Sequence, residues 1–331
     1  MDSILVLGGA GYIGSHCCKV LRGAGYLPVV FDNFSTGYRD FVRWGPLVEG
    51  DIRDEAAIDA AIRAHRPVAA MHFAARSLVG ESMADPGAYY DNNVNGTLSL
   101  LNALGRNGVD KLVFSSTCAV YTDTLSEPIT EDAAIAPAST YGATKMVCER
   151  MMADFRAAHG LNAMPLRYFN AAGADPEAET GEAHVPESHL IPLVLDAALG
   201  RREAISVFGD DYPTADGTAV RDYVHVMDIA RAHVAALEYL RSGGEGEPVN
   251  LGTGTGHSVL EVIEAAEAVT GRRIERRIAG RRAGDPASLV AAGGKARAVL
   301  GWRAERPDLE TIIADAWRWH SARFGENGDR S

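Results

Sequence analysis

The stretch SILVLGGAGYIGSH, residues 3–16, decides the fold that the sequence predicts. Its apolar run Ser3–Leu7 is typical of a buried strand, and a helical pattern follows it. Between the two, Gly8, Gly11 and Gly14 form a GxxGxxG pattern. Glycine lets backbone N–H groups approach a pyrophosphate, and the helix N-terminus adds partial positive charge. The stretch predicts a dinucleotide-binding turn, although such turns also arise for packing reasons alone.

Asp32 strengthens that prediction. It follows a second apolar run, Leu27–Phe31, and stands 18 residues after Gly14. In a dinucleotide fold this is the place of the group that accepts hydrogen bonds from the adenosine ribose. A carboxylate there favours a free 2′-hydroxyl and repels a 2′-phosphate. An isolated aspartate often only caps a loop, but after this turn it predicts NAD rather than NADP as the cofactor.

Strand and helix patterns alternate through the first half of the chain. After the second strand they follow in the order helix 55–63, strand 69–73, helix 89–104, strand 111–115, helix 141–159 and strand 162–168. A later helix is predicted from Ser258, whose spacing to Glu261 is that of a capping box. Strands separated by helices build a parallel sheet covered on both faces. The predicted fold class is α/β, a Rossmann-type doubly wound parallel sheet with a smaller C-terminal substrate-binding α/β region.

A two-domain organisation is predicted from the place where this alternation stops. After Phe169 the chain becomes rich in proline, glycine and acidic residues up to Pro186, which indicates that it leaves the sheet. The expected domains are an NAD-binding Rossmann domain over residues 1–170, with later returns near 205–210 and 226–252, and a mainly substrate-binding domain over residues 171–331.

Composition excludes several classes of partner. The chain has 331 residues, of which 47% are hydrophobic and 23% charged, so most of it should fold. Its formal net charge of -12 repels nucleic acid, and the one basic stretch, 272–282, is interrupted by Glu275. No apolar run approaches ~18 residues, the length that a membrane helix needs. We therefore expect neither a nucleic-acid partner nor a membrane segment.

The cysteines indicate a reducing compartment. Cys17, Cys18, Cys118 and Cys148 show no CxxC spacing and no neighbouring histidine pair. A disulfide framework or a metal site is therefore not expected. The sequence starts without the basic segment and cleavage site of a secretory signal, so the expected location is the cytoplasm.

Tyr141 and Lys145 are the candidate catalytic pair. They lie four residues apart on a predicted helix, so their side chains share one face. An ammonium group beside a phenol favours the phenolate and lowers a pKa that is about 10 in the free side chain. YxxxK spacing is frequent by chance, but Ser115, Ser116 and Thr117 end a predicted strand, where parallel sheets bind ligands. Thr117 is placed to hydrogen-bond a substrate hydroxyl beside Tyr141.

Longer motifs cover nearly the whole chain. They are GGAGYIGSH from Gly8, Asp51–Ile52, FAARSLVGES from Phe73, YYDNNVNGT from Tyr89, FSSTCAVY from Phe114, YGATK from Tyr141, LRYFNAAGA from Leu166, HLIP from His189, VFGDDYPTADGTAVRDYVHVMD from Val207, VNLGTG from Val249 and RRAGDPA from Arg281. With these motifs the chain resembles the extended short-chain dehydrogenase/reductase family, and within it the UDP-glucose 4-epimerases. The resemblance implies epimerisation at C4 of a UDP-hexose through a transient 4-keto sugar, in a homodimer that serves galactose metabolism.

The resemblance also implies roles for individual residues. Tyr141 would be the base, Lys145 would hold the nicotinamide ribose, and Thr117 would orient the 4-hydroxyl. Cofactor contacts would fall on Gly8, Gly11, Tyr12, Ile13, Gly14, Asp32, Asn33, Asp51, Ile52, Phe73, Ala74, Asn92, Ser115, Tyr141, Lys145 and Tyr168. Nucleotide-sugar contacts would fall on Thr117, Asn170, His189, Leu190, Phe208, Arg221, Arg282, Asp285 and Ser288.

Several of these substrate positions have a plain structural alternative. Arg221 and Arg282 suit a diphosphate because a guanidinium fork matches its oxygens. Arg221 could equally pair with Asp222, and Asn170 could cap a loop. Ser288 stands where the resemblance places the residue that sizes the sugar pocket, and its small side chain predicts that N-acetyl sugars are accepted. A register slip of one residue would put Leu289 there instead.

The chain departs from the pattern of its family at three places. Thr122 follows the VY of the serine-rich strand where the family often has glycine, Ser77 stands where many members carry lysine, and His189 replaces an asparagine of some relatives. None of these changes touches the proposed base.

Other activities remain open at this stage. The preferred sugar could be an N-acetylhexosamine, a uronic acid or a pentose instead of a hexose. A net NAD-dependent dehydrogenase or dehydratase shares the first two motifs, but Cys118 and Ala119 after Thr117 supply no carboxylate for dehydration. A catalytically idle nucleotide sensor would be expected to lose Tyr141 or Lys145, and both are present.

Overall fold

A computed structural model describes residues 1–122, 128–282 and 285–325. Strands and helices alternate through most of these residues. The strands are β1 (Ser3–Leu7), β2 (Leu27–Asp32), β3 (Leu47–Glu49), β4 (Ala69–His72), β5 (Lys111–Thr117), β6 (Asn162–Tyr168), β7 (Asn170–Ala172), β8 (Ile205–Phe208), β9 (Val220–Arg221), β10 (Tyr223–His225), β11 (Val249–Leu251), β12 (His257–Ser258), β13 (Arg276–Ala279) and β14 (Ser288–Leu289). The helices are α1 (Tyr12–Gly23), α2 (Glu55–His65), α3 (Val79–Ala84), α4 (Pro86–Tyr89), α5 (Gly96–Arg106), α6 (Thr140–His159), α7 (Leu190–Ala198), α8 (Val226–Arg241), α9 (Val259–Thr270), α10 (Gly294–Leu300) and α11 (Leu309–Phe324). Short 3₁₀ turns span Arg39–Phe41 and Cys118–Val120, and Tyr90–Asn95 form a π-helix.

A seven-stranded sheet organises the molecule. Its strand order is β11-β6-β5-β4-β1-β2-β3, and every neighbouring pair is parallel. From β1 the chain builds outward first through β2 and β3, and then through β4, β5 and β6 on the other side. Such a switch point leaves a crevice at the carboxyl ends of the strands, where ligands of doubly wound sheets bind. The predicted fold class is confirmed.

Side chains that alternate along the central strands pack into two separate apolar layers, one on each face of the sheet. Ile4 and Val6 of β1 pack with Leu21 of α1 and with α8, whereas Leu5 and Leu7 pack with α2, α5 and α6. All five residues of β1 are buried, as expected for a parallel strand covered on both faces. The two layers hold the carboxyl ends of β1, β4 and β5 in fixed relative positions.

The C-terminal part builds three small sheets and its own core. β7 pairs with β10, β8 with β13, and β9 lies between β12 and β14. Ile191 of α7, Ile263 of α9 and Ile312 of α11 are almost fully buried together. Because β7 follows β6 after one residue, this region is joined directly to the large sheet next to its edge strand β11.

The structure differs from the predicted elements in two places. The single helix predicted over 89–104 is divided into α4, a π-helix and α5. The return predicted near 205–210 does not reach the large sheet, because β8 pairs with β13. In 226–252, α8 covers one face of the large sheet and β11 joins its edge. Within the described ranges no helix is both long enough and apolar enough to cross a membrane.

Candidate active site

The three glycines of the first turn have different surroundings. Gly8 has a φ of +79°, and a Cβ there would lie 2.5 Å from the backbone N of Ala74. A Cβ on Gly14 would lie 2.1 Å from the carbonyl O of Gly8. Packing against the neighbouring backbone therefore requires a glycine at both Gly8 and Gly14. A Cβ on Gly11 would meet only Gly8 O at 3.4 Å, so the protein itself leaves room at Gly11. That room is where a pyrophosphate approaches in a dinucleotide fold.

The N-terminus of α1 is free to bind an anion. Gly11 is its N-cap, no side chain caps it, and its first turn contains no acidic residue. Ile13 and Gly14 lie in that first turn, as predicted for cofactor-binding residues. Tyr12 is buried and donates its hydroxyl to the carbonyl of Gly173 at 2.7 Å, which ties this turn to the loop after β7. These features fit a dinucleotide diphosphate.

Asp32 is held at the end of β2 by two backbone donors. Its carboxylate accepts from Ala10 N and Phe34 N, each at 2.9 Å. Only 8% of Asp32 is exposed, and burial raises its pKa above the usual value despite these bonds. Each carboxylate oxygen keeps a further lone pair for a ribose hydroxyl. Asp32 is therefore fixed in position and fits the role predicted for it.

The segments after β2 and β3 bring the predicted residues Asn33, Asp51 and Ile52 into one neighbourhood. Asn33 donates its side-chain amide to Asp51 at 2.9 Å. Arg53 forms a two-pronged contact with Asp51 and holds the pKa of that carboxyl well below its usual range. Ile52 is buried against Gly96, where a Cβ would lie 2.7 Å from it.

Phe73, Ala74 and Asn92 are three further predicted cofactor contacts. The backbone N–H groups of Phe73 and Ala74 donate to the carbonyl of Leu7, at 2.7 and 3.1 Å. Asn92 belongs to the π-helix and donates its amide to Asn93 at 3.0 Å. π-Helical turns are rare and are frequent at functional sites. All three residues are partly exposed near the end of β4 or in the segment facing α6.

Asn93 is a residue that the sequence analysis missed. It is 2% exposed, accepts from Arg76 N at 2.8 Å and donates to Thr144 Oγ1 on α6 at 3.1 Å. This buried amide fixes α6 relative to the loop after β4. The second asparagine of the NNVN stretch was the available signal, because asparagine is uncommon inside a helix.

Lys145, Ser115 and Tyr168 form a buried polar group at the end of β5. Lys145 is 2% exposed, and its Nζ donates to the carbonyl of Ser115 at 2.8 Å. Tyr168 donates its hydroxyl to Ser115 Oγ. Burial lowers the pKa of Lys145 to about 8. The ammonium keeps two further N–H donors for a cofactor ribose or for Tyr141.

Tyr141 and Thr117 meet, but the charge effect predicted for the phenol does not dominate. A hydrogen bond with Thr117 lowers the pKa of Tyr141, but burial outweighs it and raises that pKa to about 12. Lys145 Nζ faces the Tyr141 ring at 6.0 Å from the ring centre. The prediction of a lowered pKa from Lys145 alone is therefore wrong, because desolvation is the larger effect here.

Arg221 does not form the ion pair that the structural alternative predicts. Arg221, on β9, pairs with Asp285 rather than with Asp222. Asp222 instead accepts from Thr253, Gly254 and Ala291 and so holds a turn. The structural alternative of an Arg221–Asp222 pair is wrong, and Asp285 acts as a partner of Arg221.

The other predicted substrate contacts lie around the same region. Arg282 stacks its guanidinium 4.1 Å above the centre of the Phe208 ring. Asn170 is the first residue of β7 and donates its backbone N–H to the carbonyl of Asp222 at 2.9 Å. Leu190 is the first residue of α7 and packs on the C-terminal core.

The register of β14 separates Ser288 from Leu289. Ser288 pairs with Val220 of β9, and Leu289 pairs with Arg221. In a parallel pair, facing residues point to the same side, so Leu289 shares the face of Arg221. Leu289 also packs on the cluster that contains Val120 and Phe169, next to Cys118. The structure therefore favours the slipped register, with Leu289 rather than Ser288 toward the active site.

His189 lies in a cluster that the sequence analysis did not anticipate. Its Nδ1 is 2.9 Å from Glu182 Oε1 and 2.9 Å from Glu187 Oε1. His184 joins the same glutamates. Burial opposes the charged imidazole, but the two glutamates outweigh it and raise the pKa of His189 to about 10. The signal in the sequence was the alternation of Glu and His over eight residues.

Comparison with known proteins agrees with this geometry. The family model described as "NAD dependent epimerase/dehydratase family" matches residues 4–252. A UDP-glucose 4-epimerase of Rhizobium meliloti (strain 1021) is 54% identical over 97% of this chain and 98% of its own. The chain therefore belongs to the NAD-dependent epimerase/dehydratase family.

Solved structures extend the similarity to the three-dimensional fold. A UDP-glucose 4-epimerase from Brucella ovis in complex with NAD matches 97% of this chain and 99% of its own, with a TM-score of 0.95 and 48% identity. A UDP-glucose 4-epimerase from Bifidobacterium longum, in complex with NAD⁺ and UDP, matches 97% and 98% with a TM-score of 0.92 and 37% identity. Within the family, this chain is thus similar to the UDP-glucose 4-epimerases.

Proposed function

We propose that this chain is an isomerase that inverts C4 of a UDP-hexose, interconverting UDP-glucose and UDP-galactose through a transient 4-keto sugar. The observation that carries the proposal is the contact of Tyr141 with Thr117 at the carboxyl end of β5, above the buried ammonium of Lys145. A phenol, a hydroxyl and a cation at this edge can move one proton on and off a sugar hydroxyl.

The cofactor is NAD. Gly11 leaves space beside an uncapped helix N-terminus, and the Asp32 carboxylate stands at the end of β2, so the residues present fit a dinucleotide without a 2′-phosphate. NAD, when bound, supplies a hydride acceptor and donor for C4 and, through its positive ring, favours the Tyr141 phenolate. Lys145 adds a second positive charge from below and donates to the cofactor ribose.

Tyr141 acts as the base and Thr117 orients the reacting hydroxyl. Tyr141 takes the proton from the 4-hydroxyl and returns it after the keto sugar has turned over. Because burial raises the pKa of Tyr141 to about 12 in the ligand-free protein, the phenolate forms only when positive charge is added. This requirement couples the base to an occupied cofactor site.

The diphosphate of the substrate is held by arginines. Arg221 is mostly buried and already paired with Asp285, so it is oriented before substrate binds. Arg282 is exposed and stacked on Phe208. Two guanidinium groups neutralise a diphosphate that the net charge of the chain would repel. An anchored diphosphate lets the keto sugar rotate about its link without leaving.

Domain division, assembly and location complete the proposal. We infer a Rossmann domain over residues 1–170, completed by α8 and β11, and a substrate domain over most of 171–331. A homodimer is supported by the exposed apolar side chains of Val79, Met83, Tyr90 and Leu98. A cytoplasmic location is supported by the unpaired state of Cys17, Cys18, Cys118 and Cys148.

The test is to incubate the purified chain with a panel of UDP-sugars and identify the products. We expect UDP-galactose and UDP-glucose to interconvert without release of NADH. Tyr141→Phe should lower turnover at least ~100-fold while bound NAD is retained, because the base is lost and the ring volume is kept. Tyr239→Phe, at the far end of α8, is the matched control. A Tyr141→Phe variant with most of its turnover would refute the assignment, and accumulation of NADH would indicate a net dehydrogenase.

A further inference from the structure

Four potential metal ligands converge in the loop that precedes α7. Glu182, His184, Glu187 and His189 place their ligand atoms within 4.8 Å of one another. They come from eight consecutive residues, so one short segment supplies the whole set. Glu182 is only 7% exposed. Two imidazoles and two carboxylates form a mixed N/O set that suits a divalent transition metal such as Zn²⁺.

Four separations between these groups lie near those of a tetrahedral cage, with Glu187 approaching His189 through Oε1 and His184 through Oε2. His189 Nδ1 lies 2.9 Å from an oxygen of Glu182 and 2.9 Å from one of Glu187. His184 Nδ1 lies 3.2 and 3.6 Å from oxygens of the same two residues. Ligands that each stand about 2.0–2.1 Å from a tetrahedral ion are about 3.4 Å apart. The observed separations lie on both sides of that value.

A second observation indicates that one imidazole is not simply hydrogen-bonded to a carboxylate. His184 Nδ1 is buried and has no hydrogen-bond partner of acceptable geometry, although Glu182 Oε1 is 3.2 Å away. A buried polar atom without a partner calls for an explanation, because leaving it unsatisfied is costly. An ion shared with the glutamate oxygens would give this atom a partner, once His184 Nδ1 has lost its proton and can bind the ion.

We propose that Glu182, His184, Glu187 and His189 bind one divalent transition-metal ion in a closed, four-ligand site. The charge balances in both states. Without the ion, two imidazolium groups neutralise two carboxylates, and with it two neutral imidazoles and two carboxylates neutralise the ion. Binding therefore releases one proton from each histidine. None of its ligands is the base or the cofactor's ribose partner, and one of them, His189, is also a predicted substrate contact.

A second acidic cluster shows the contrast. Asp175, Glu177 and Glu179 also lie close together, but all three contact Lys19 Nζ, at 2.6 to 2.8 Å. That cluster already contains a cation from the chain, so it requires no ion. In the Glu182–His189 cluster the positive charge comes from histidines, which become metal ligands when they lose a proton near neutral pH.

The position of the site gives the ion a structural role. The Tyr12 ring, at the dinucleotide turn, stands edge-on to the His184 ring at 6.2 Å. A closed four-ligand site braces the segment before α7 against that turn. Coordination through Nδ1 also places the remaining proton of His189 on Nε2. His189 can then donate to a substrate phosphate while its Nδ1 holds the ion.

The test uses the full chain after treatment with a chelator, titrated with Co²⁺ as a spectroscopic probe and with Zn²⁺ as competitor. We expect one Co²⁺ per chain with the intense visible absorption of tetrahedral cobalt, displaced by Zn²⁺. Proton release should accompany binding, because an imidazole binds the ion only in its neutral form. The midpoint of thermal unfolding should rise with Zn²⁺. A lack of binding, or a weak octahedral spectrum without proton release, would overturn the proposal and leave two imidazolium–carboxylate pairs.

Variants locate the bound ion. His184→Asn should abolish the tetrahedral spectrum while bound NAD and circular dichroism remain as in the unmodified chain. His159→Asn, which changes an exposed histidine at the end of α6, is the matched control and should bind as before. If His184→Asn unfolds, Glu187→Gln tests the same site with a nearly isosteric change. Unchanged cobalt binding in a folded variant of either residue would refute the site.

Discussion

Single glycines that look equivalent in the sequence have different physical roles in the structure. The GxxGxxG pattern predicts the turn but does not say which glycine serves the protein and which serves a ligand. Gly8 and Gly14 are required by backbone contacts of 2.5 and 2.1 Å to a Cβ, and Gly11 is not. The distinction depends on backbone atoms of the residues just after β4 and on the turn itself. The spacing of glycines in the sequence carries no information about those atoms.

We predict that Gly11→Ala and Gly14→Ala fail in different ways. Gly11→Ala should lower the free energy of unfolding by only about 0.5–1 kcal/mol, because alanine is a poorer N-cap than glycine but meets no close backbone contact here. It should nevertheless lose NAD during purification, since the Cβ fills the space beside the helix N-terminus. Gly14→Ala should destabilise the fold by about 1–3 kcal/mol through overpacking. Urea denaturation and the NAD content of the purified variants measure the two effects.

The outcome that would contradict this prediction is specific. Gly11→Ala with a full complement of NAD would show that the pyrophosphate does not approach there. Gly14→Ala with unchanged stability would show that the turn relaxes around the added methyl group.

At the scale of elements, long periodic segments were predictable and short non-local ones were not. β1 and β6 have the predicted bounds, and Ser258 and Glu261 form the predicted capping box at the start of α9. Their signals are local: apolar runs and a fixed spacing of side chains. β9, β12 and β14 have only two residues each, so no periodicity marks them. They exist because segments far apart in the chain pair there.

The same limit explains what was predictable of the candidate site. Tyr141, Lys145 and Thr117 lie on a strand end and a helix start that local patterns predict, and the structure brings Tyr141 to Thr117. The pairing of Arg221 with Asp285 joins residues 64 apart in sequence. The direction of the Tyr141 pKa depends on burial by the assembled molecule, which no spacing rule contains.

The register of β14 supports a prediction about sugar size. Leu289 shares the face of Arg221, and Ser288 shares that of Val220. We expect Leu289→Tyr to suppress turnover of UDP-N-acetylglucosamine about ten-fold or more relative to UDP-glucose, because overfilling a tight pocket costs about 1–3 kcal/mol. Ser288→Tyr places the same ring on the other face and is the matched control. The ratio of kcat/KM for the two sugars measures the effect.

Two results would contradict this assignment. A selective loss in Ser288→Tyr, with Leu289→Tyr unaffected, would restore the register expected from the sequence. An equal loss on both sugars in Leu289→Tyr would show that the residue supports the fold of the pocket without selecting by size.

At the scale of the whole molecule, buried neutral histidines tie the fold to pH. His16, His72 and His233 are all 0–1% exposed and lie in or against the layers that cover the large sheet. Burial lowers the pKa of His16 to about 4, of His72 to about 3 and of His233 to about 4. In an unfolded chain a histidine has a pKa of about 6.5. Packing around the sheet thus keeps these three imidazoles neutral at a pH where the unfolded chain would protonate them.

The sign of the effect follows from proton uptake. A histidine whose folded pKa is lowered binds its proton only in the unfolded chain between pH ~6.5 and the folded pKa, so stability is full above that window and is lost as pH falls through it. His184 and His189 have raised pKa values, about 9 and about 10, so below pH ~6.5 they are protonated in both states and add no slope. The loss between pH 6.5 and 5 therefore reports the buried neutral histidines, at about 2 kcal/mol for each one.

We predict that His233→Phe reduces the loss of unfolding free energy that accompanies a fall in pH, by the contribution of one buried histidine. His233 packs its ring 4.7 Å from that of Phe73, so phenylalanine keeps an aromatic contact. Its Nδ1 bonds only to the carbonyl of Ile229, one turn earlier in α8, and its buried Nε2 has no partner among the described residues, so little hydrogen bonding is lost. Between pH 6.5 and 5, with NAD held constant, the variant should lose about 2 kcal/mol less free energy of unfolding than the unmodified chain. Urea denaturation at each pH measures the difference, with His159→Phe at an exposed position as the control. Parallel curves for His233→Phe and the unmodified chain would mean that His233 is not neutral in the folded protein, or that the sheet opens locally to hydrate it before the molecule unfolds.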